Sequence, residues 1–169
     1  SDPPANFDLP DDTVWPTHQQ DGSSWTVLVY MIADNNLEDF AIPDLDEMLG
    51  VGSATAFNLL AQIDRSQKYS QADVGGLPNW TSTKRVSVGK GALTDLEDLG
   101  ETNMGDPAVL ADFIEWGVQN YPANRYALIF WDHGSSWPGF GSDGSEAPAD
   151  RLPLAELAEG IEDGMVAAG

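Results

Sequence analysis

Residues Trp25–Ala33 read WTVLVYMIA, with no charged side chain from end to end. A surface helix needs a polar face, and a half-exposed strand alternates polar and apolar residues. An unbroken apolar run rich in β-branched and aromatic residues fits a strand buried on both faces, the setting of a parallel sheet covered by helices on each side. Two more such runs follow, FNLLAQI at 57–63, closed by Asp64, and YALIFW at 126–131. Helix-period segments separate them. Asp34-Asn35-Asn36 offers N-cap side chains to a helix predicted over 37–49, with Leu37, Phe40, Ala41, Leu45, Met48 and Leu49 on one face. Pro43 should kink or divide that helix, and Gly50 and Gly52 should stop it. Asp106-Pro107 opens a second helix, with a side-chain acceptor at the N-cap and Pro at the first helical position. Its apolar face is Val109, Leu110, Phe113, Ile114, Trp116 and Val118, and Tyr121-Pro122 ends it. A last helix is expected over 153–165.

The remaining segments are less regular. Residues 66–79 form a polar insertion expected to wrap the surface, and 80–89 (WTSTKRVSVG) alternates with period two, as a short hairpin or edge strand does. Strand–helix alternation of this kind implies an α/β domain, a three-layer sandwich around a mainly parallel central sheet. Chemistry in such a sheet sits at the carboxyl ends of the strands. Those ends carry Asp34-Asn35-Asn36, Asp64 and Asp132-His133-Gly134. The last helix should lead back to another parallel strand, for which no residues remain. The sheet is therefore expected to be incomplete without a C-terminal partner segment. The domain spans 25–169, after an extended or disordered N-terminal segment at 1–24 that is rich in Pro and Asp.

Twenty-eight Asp and Glu face seven Lys and Arg, a formal net charge of −21. Such a chain repels nucleic acid. The charge reads first as a solubilising surface, suited to a salty or extracellular setting, and second as an acidic cleft for cationic substrates. No apolar run is long enough to span a bilayer, and the first residues show no signal-peptide pattern. Ser1 is not expected to be the natural start. Cysteine is absent, which excludes disulfides and thiolate metal sites from the chain.

The motif with the most chemistry is Asp132-His133-Gly134, just past the third apolar run. His133 is one of two histidines. Its residue type and place leave two readings open, a structural loop histidine and a proton-transfer group of the kind an imidazole suits around neutral pH. Gly134 permits close backbone approach to a ligand, and its N–H is a candidate oxyanion donor. His18 lies far away in the N-terminal segment, with no spacing that fits a shared metal. Residues 143–150, beginning Asp143-Gly144-Ser145-Glu146, could attract calcium but lack the spacing of an EF-hand loop, and read first as a solvated acidic loop.

Residues 99–137, LGETNMGDPAVLADFIEWGVQNYPANRYALIFWDHGSSW, resemble the histidine block of the clostripain family of cysteine peptidases. WTVLVYMIADNNLE at 25–38 is similar to that family's opening strand and asparagine pair, and the resemblance runs from about Trp25 to the end of the chain. It implies a caspase-like fold and cleavage after Arg or Lys of protein and peptide substrates. It also implies that His133 serves a Cys at the end of the next core strand, in an Asp-Ala-Cys context, with Gly134 N–H in the oxyanion hole. That strand would belong to a Cys-bearing heavy chain cut from the same precursor, this chain being the light chain. Arg151, on the acidic loop, and Gly169 are the processing positions named on this reading. Asn35 and Asn36 are expected to cap the first helix, with substrate contact as a lesser role, and Trp137 is expected to wall the cleft. The chemistry requires no cofactor, although some relatives need Ca2+. A secreted or cell-surface location is implied. Two other readings stand beside it: a caspase-like binding or regulatory domain whose partner lacks the Cys, and a receiver-type signalling domain. The latter needs an acidic pair after the first strand and a late-strand Lys, whereas the last Lys here is Lys90.

Overall fold

The computed structural model describes residues 25–134, 138–144 and 148–169. The segment 1–24 and Trp137, both named above, lie outside the described residues. Five strands form the main sheet: β1 (Trp25–Ala33), β2 (Phe57–Arg65), β3 (Thr83–Gly89), β4 (Ala92–Gly100) and β5 (Tyr126–Trp131), in spatial order β4-β3-β2-β1-β5. β1 pairs in parallel with β2 and β5, while β3 runs antiparallel to both β2 and β4. Four of the five strands thus point one way, and only β3 is reversed. A small hairpin, β6 (Phe140–Asp143) with β7 (Asp150–Leu152), follows β5.

The two-residue side-chain period of β1 divides the core. Val29, Met31 and Ala33 point toward α1 (Glu38–Val51), and Leu28, Tyr30 and Ile32 point toward α2 (Pro107–Asn120) and α3 (Leu154–Ala168). Both layers are needed because β1 is apolar on both faces. α2 begins as its sequence dictates, with the Asp106 carboxylate accepting from Ala108 N–H at 2.8 Å and Pro107 at the first position. Gly117 lets α2 lie close on β1, since a Cβ there would fall 2.5 Å from Leu28 Cδ2.

Several expectations are corrected. α1 runs through Pro43 as one helix, because Pro43 is exposed and removes a single N–H donor without forcing a break. Its buried face is Glu38, Ala41, Ile42, Leu45 and Leu49, whereas Phe40 is 63% exposed. The hairpin reading of 80–89 holds for β3, but β3 is interior and its partner β4 forms the edge. The loop after β5 contains the β6–β7 hairpin, so Arg151 lies in a short strand, not on an irregular loop. β5, expected to be buried, stands at the sheet edge with Ile129 48% exposed.

Candidate active site

The carboxyl ends of β1 and β5 lie side by side, Met31 opposite Trp131, so Asp34-Asn35-Asn36 and Asp132-His133-Gly134 emerge next to each other. Asp132 organises the place. Its Oδ1 accepts from the His133 backbone N–H at 2.5 Å and its Oδ2 from Ser142 N–H at 2.6 Å. The Asn35 amide nitrogen lies 3.0 Å from both oxygens, 2.8 Å from Ser142 O and 3.1 Å from Ile32 O. The amide oxygen of Asn35 accepts from Leu37 N–H at 2.8 Å at the start of α1. Burial raises the Asp132 pKa above the usual carboxylate value, while the donors from His133 and Ser142 pull against that rise.

The loop is tied from the other side by β6. Gly141 N–H donates to His133 O at 3.0 Å, and Gly134 makes an antiparallel bridge to Phe140. Gly141 has φ +83°, and a Cβ there would fall 2.5 Å from Ile32 Cδ1, so position 141 requires glycine both for its backbone and for space. Held this way, the His133 ring is exposed and its Nε2 lies 3.2 Å from Asn36 Oδ1. An Asn oxygen can only accept, so the pairing suits a proton on Nε2 and leaves Nδ1 as the free base. Nearby, the Trp131 indole N–H donates to Asp44 Oδ2 on α1 at 2.7 Å.

The structure therefore brings His133, Gly134 and Asn36 together on the exposed rim. Asn35 is buried, with its amide committed to the protein's own groups. Arg151 is exposed in β7, and Gly169 follows α3 with φ +93°. One supporting pair escaped the sequence reading. Glu38, in the first turn of α1, is buried against Arg65 of β2 at 2.8 Å and accepts from Ser70 N–H at 3.0 Å. The Arg65 guanidinium lies 4.7 Å from the Trp80 ring centroid. This desolvated pair anchors the helix start that presents Asn36. Nothing local in the sequence marks the pair, because its burial comes from packing between elements.

A second polar group lies along the same edge of the sheet. Asp64, Thr83 and Gly100 are adjacent across β2, β3 and β4, and Asp34 and Glu101 extend just beyond the ends of β1 and β4. One carboxylate oxygen from each of Asp34, Asp64 and Glu101 lies within 4.8 Å of the others. Burial, opposed by the Thr83 hydroxyl at 2.8 Å and reinforced by Asp143, Glu101 and Asp34, raises the Asp64 pKa to about 8. Asp143 itself is fully buried and accepts from Met104 N–H at 2.5 Å, which corrects its reading as part of a solvated loop.

A parallel-ordered α/β sheet carrying His-Gly on a pinned loop at the carboxyl end of β5 defines a caspase-like architecture. The Clostripain family model matches residues 29–160, and the chain belongs to that family. It is 34% identical over 121 residues to clostripain from Hathewaya histolytica, covering 64% of this chain and 23% of that protein. A secreted cysteine protease from Bacteroides thetaiotaomicron, in complex with an irreversible peptide inhibitor, matches with a TM-score of 0.65 and 27% identity. That match covers 83% of this chain and 39% of the other. A cysteine protease of B. fragilis matches with a TM-score of 0.52 and 31% identity, covering 68% of this chain and 92% of that one. The chain thus spans about a quarter of the curated relative and two fifths of the first of these structures.

Proposed function

We propose that this chain is the histidine-bearing light chain of a cysteine endopeptidase that cleaves after Arg or Lys, with the Cys supplied by a heavy chain of the same precursor. The observation that carries this reading is the exposed His133–Asn36 pair at the carboxyl end of an edge strand, in a member of the clostripain family. A strand added beside β5 would deliver its own carboxyl end next to the imidazole. Ile129, opposite Val29 on the α1 side of the sheet, stays 48% exposed at this edge, which leaves apolar surface for such a segment.

In this reaction the incoming thiol gives its proton to Nδ1 of His133, and the thiolate attacks the scissile carbonyl carbon to form a C–S bond. Asn36 is a positioning residue that holds the reactive tautomer. Gly134 N–H, in a position open enough for a close ligand, contributes to the oxyanion hole. The imidazolium then protonates the leaving amine as the C–N bond breaks, and water hydrolyses the thioester. Asn35 acts behind this group, holding Asp132 and the Ser142 backbone. The reading needs no cofactor for the chemistry and takes Arg151, exposed in β7, as a processing position. It places the protein outside the cell or on its surface, in keeping with a secreted relative. No helix among the described residues is long and apolar enough to cross a membrane.

The test is hydrolysis of Arg- and Lys-ending fluorogenic peptides by the full-length protein. Activity is expected to be abolished by thiol alkylation and to fall on the order of 10³-fold in His133→Ala. Full activity in that variant overturns the assignment. An intact fold with no activity and no alkylation-sensitive thiol would favour the non-catalytic binding domain.

A further inference from the structure

We propose that Trp131 and Asp44 are positioning residues for His133: their hydrogen bond ties the end of β5 to α1 and so sets the His133 ring against Asn36. The inference rests on the peptidase reading above and adds a further part to the same site. It starts from a weak point of the fold. His133 stands just past the end of β5, and among the described residues β5 is hydrogen-bonded to one strand only, β1. Asn36 stands just ahead of α1. The 3.2 Å contact between them therefore depends on where the end of an edge strand lies relative to a helix.

Trp131 is the β5 side chain that reaches α1. Side chains of β5 alternate between the two faces of the sheet: Phe130 packs on the α2–α3 side, and Trp131, opposite Met31, on the α1 side. On that same face Ile129 is 48% exposed, so α1 gives β5 little cover before its last residue. The Trp131 ring packs against the α1-side core, and its indole N–H donates to Asp44 Oδ2 at 2.7 Å. An indole nitrogen can only donate and an ionised carboxylate can only accept, so the bond has one polarity and is charge-assisted. Both side chains are half-buried, which spares the bond full competition from water. The next residue, Asp132, is held by β6 through Ser142 N–H at 2.6 Å. His133 thus follows two consecutive anchored residues, one tied to α1 and one to β6.

The helix is fixed at its first turn by Glu38 and Arg65 of β2, 2.8 Å apart, and Asp44 lies less than two turns further on. The first contact sets the helix start that presents Asn36, and the second sets its distance from β5. Packing alone would ask only for the aromatic ring of Trp131. The indole N–H adds direction, since a partly buried N–H calls for an acceptor, and here the acceptor belongs to α1. Losing the bond costs little stability, because both groups regain water. It frees the lateral position of β5, and a displacement on the order of 1 Å can slow a reaction up to about 10²-fold even when it arises away from the reacting atoms.

Three variants of the full-length protein test this. Trp131→Phe keeps a ring and loses the donor, Asp44→Ala loses the acceptor, and Asp44→Asn keeps an acceptor oxygen; circular dichroism checks that each is folded. With Arg- and Lys-ending fluorogenic peptides, kcat is expected to fall about tenfold in Trp131→Phe and Asp44→Ala, with KM within about twofold of wild type. Asp44→Asn should recover to within about threefold. A second readout needs no turnover. Heteronuclear NMR of the His133 ring nitrogens, assigned by their loss in His133→Ala, reports which nitrogen carries the proton. The Nε2–H form is expected to predominate in wild type and Asp44→Asn and to give way to a mixture in Trp131→Phe and Asp44→Ala. A wild-type protein that hydrolyses neither peptide overturns the peptidase reading, and the tautomer ratio then decides this proposal by itself. A wild-type ratio in both Trp131→Phe and Asp44→Ala, or a wild-type ring protonated mainly on Nδ1, overturns it.

Discussion

Asp132 and Asp64 occupy comparable places, each an aspartate at the carboxyl end of a strand flanking β1, yet their carboxylates live in opposite circumstances. Both oxygens of Asp132 meet N–H donors, because β6 returns past it with Ser142 and the chain turns back through His133. Asp64 receives one hydroxyl, from Thr83, and its second oxygen is buried without a donor among the described residues. The difference teaches that an acidic strand end takes its role from what returns over it. Backbone N–H groups make Asp132 the clamp of the His133 loop, whereas further carboxylates surround Asp64.

The largest expected effect sharpens that contrast through pH. Asp64 is raised from 3.8 to about 8 in the folded protein by burial and by Asp143, Glu101 and Asp34. The folded state therefore holds an extra proton across that window, and stability is expected to fall as pH rises from about 4 to about 8. Asp64→Asn should flatten the slope, as followed by thermal unfolding across the range. Next comes Asp132→Ala, which leaves the His133 and Ser142 N–H groups and the Asn35 amide without their acceptor. A loss of about 3 kcal/mol is expected, read as a lowered denaturation midpoint. A midpoint unchanged from wild type would mean that the loop is held by β6 alone. The smallest effect is on Asn36→Ala, exposed and outside the core. Stability should be unchanged while kcat of the assembled peptidase falls about tenfold, ~1.4 kcal/mol in the barrier. Asn36→Asp, which keeps an acceptor on the ring and adds charge, should recover rate and move the acid limb of the pH profile upward. An Asn36→Ala profile identical to wild type would remove Asn36 from the mechanism.

How much of this was legible in the sequence depended on the range of the interaction. The start of α2 was readable because Asp106 and Pro107 act within one turn. β1 and the first part of β2 announced themselves because burial on both faces leaves no room for charge, and β5 by its apolar run, although it stands at the sheet edge. β4, ALTDLEDLG, did not, since it is an edge strand with most side chains exposed and is ordered by pairing with β3. Missing β4 meant missing Glu101, and with it the third carboxylate of the cluster. The Glu38–Arg65 pair was hidden for a related reason: its members lie on different elements, and only packing removes both from water.

Local chemistry alone placed His133 just beyond an apolar strand, followed by a residue without a side chain, and marked Asp34 and Asp64 as strand ends. Three-dimensional packing decided the rest. Asn36 meets His133 across 97 positions only because β1 and β5 pair in parallel and bring their ends together. Asp64 keeps one oxygen without a donor among the described residues only because packing buries the end of β2. Neither fact has a local signature, because hydrogen-bond partnership and desolvation are properties of neighbours in space.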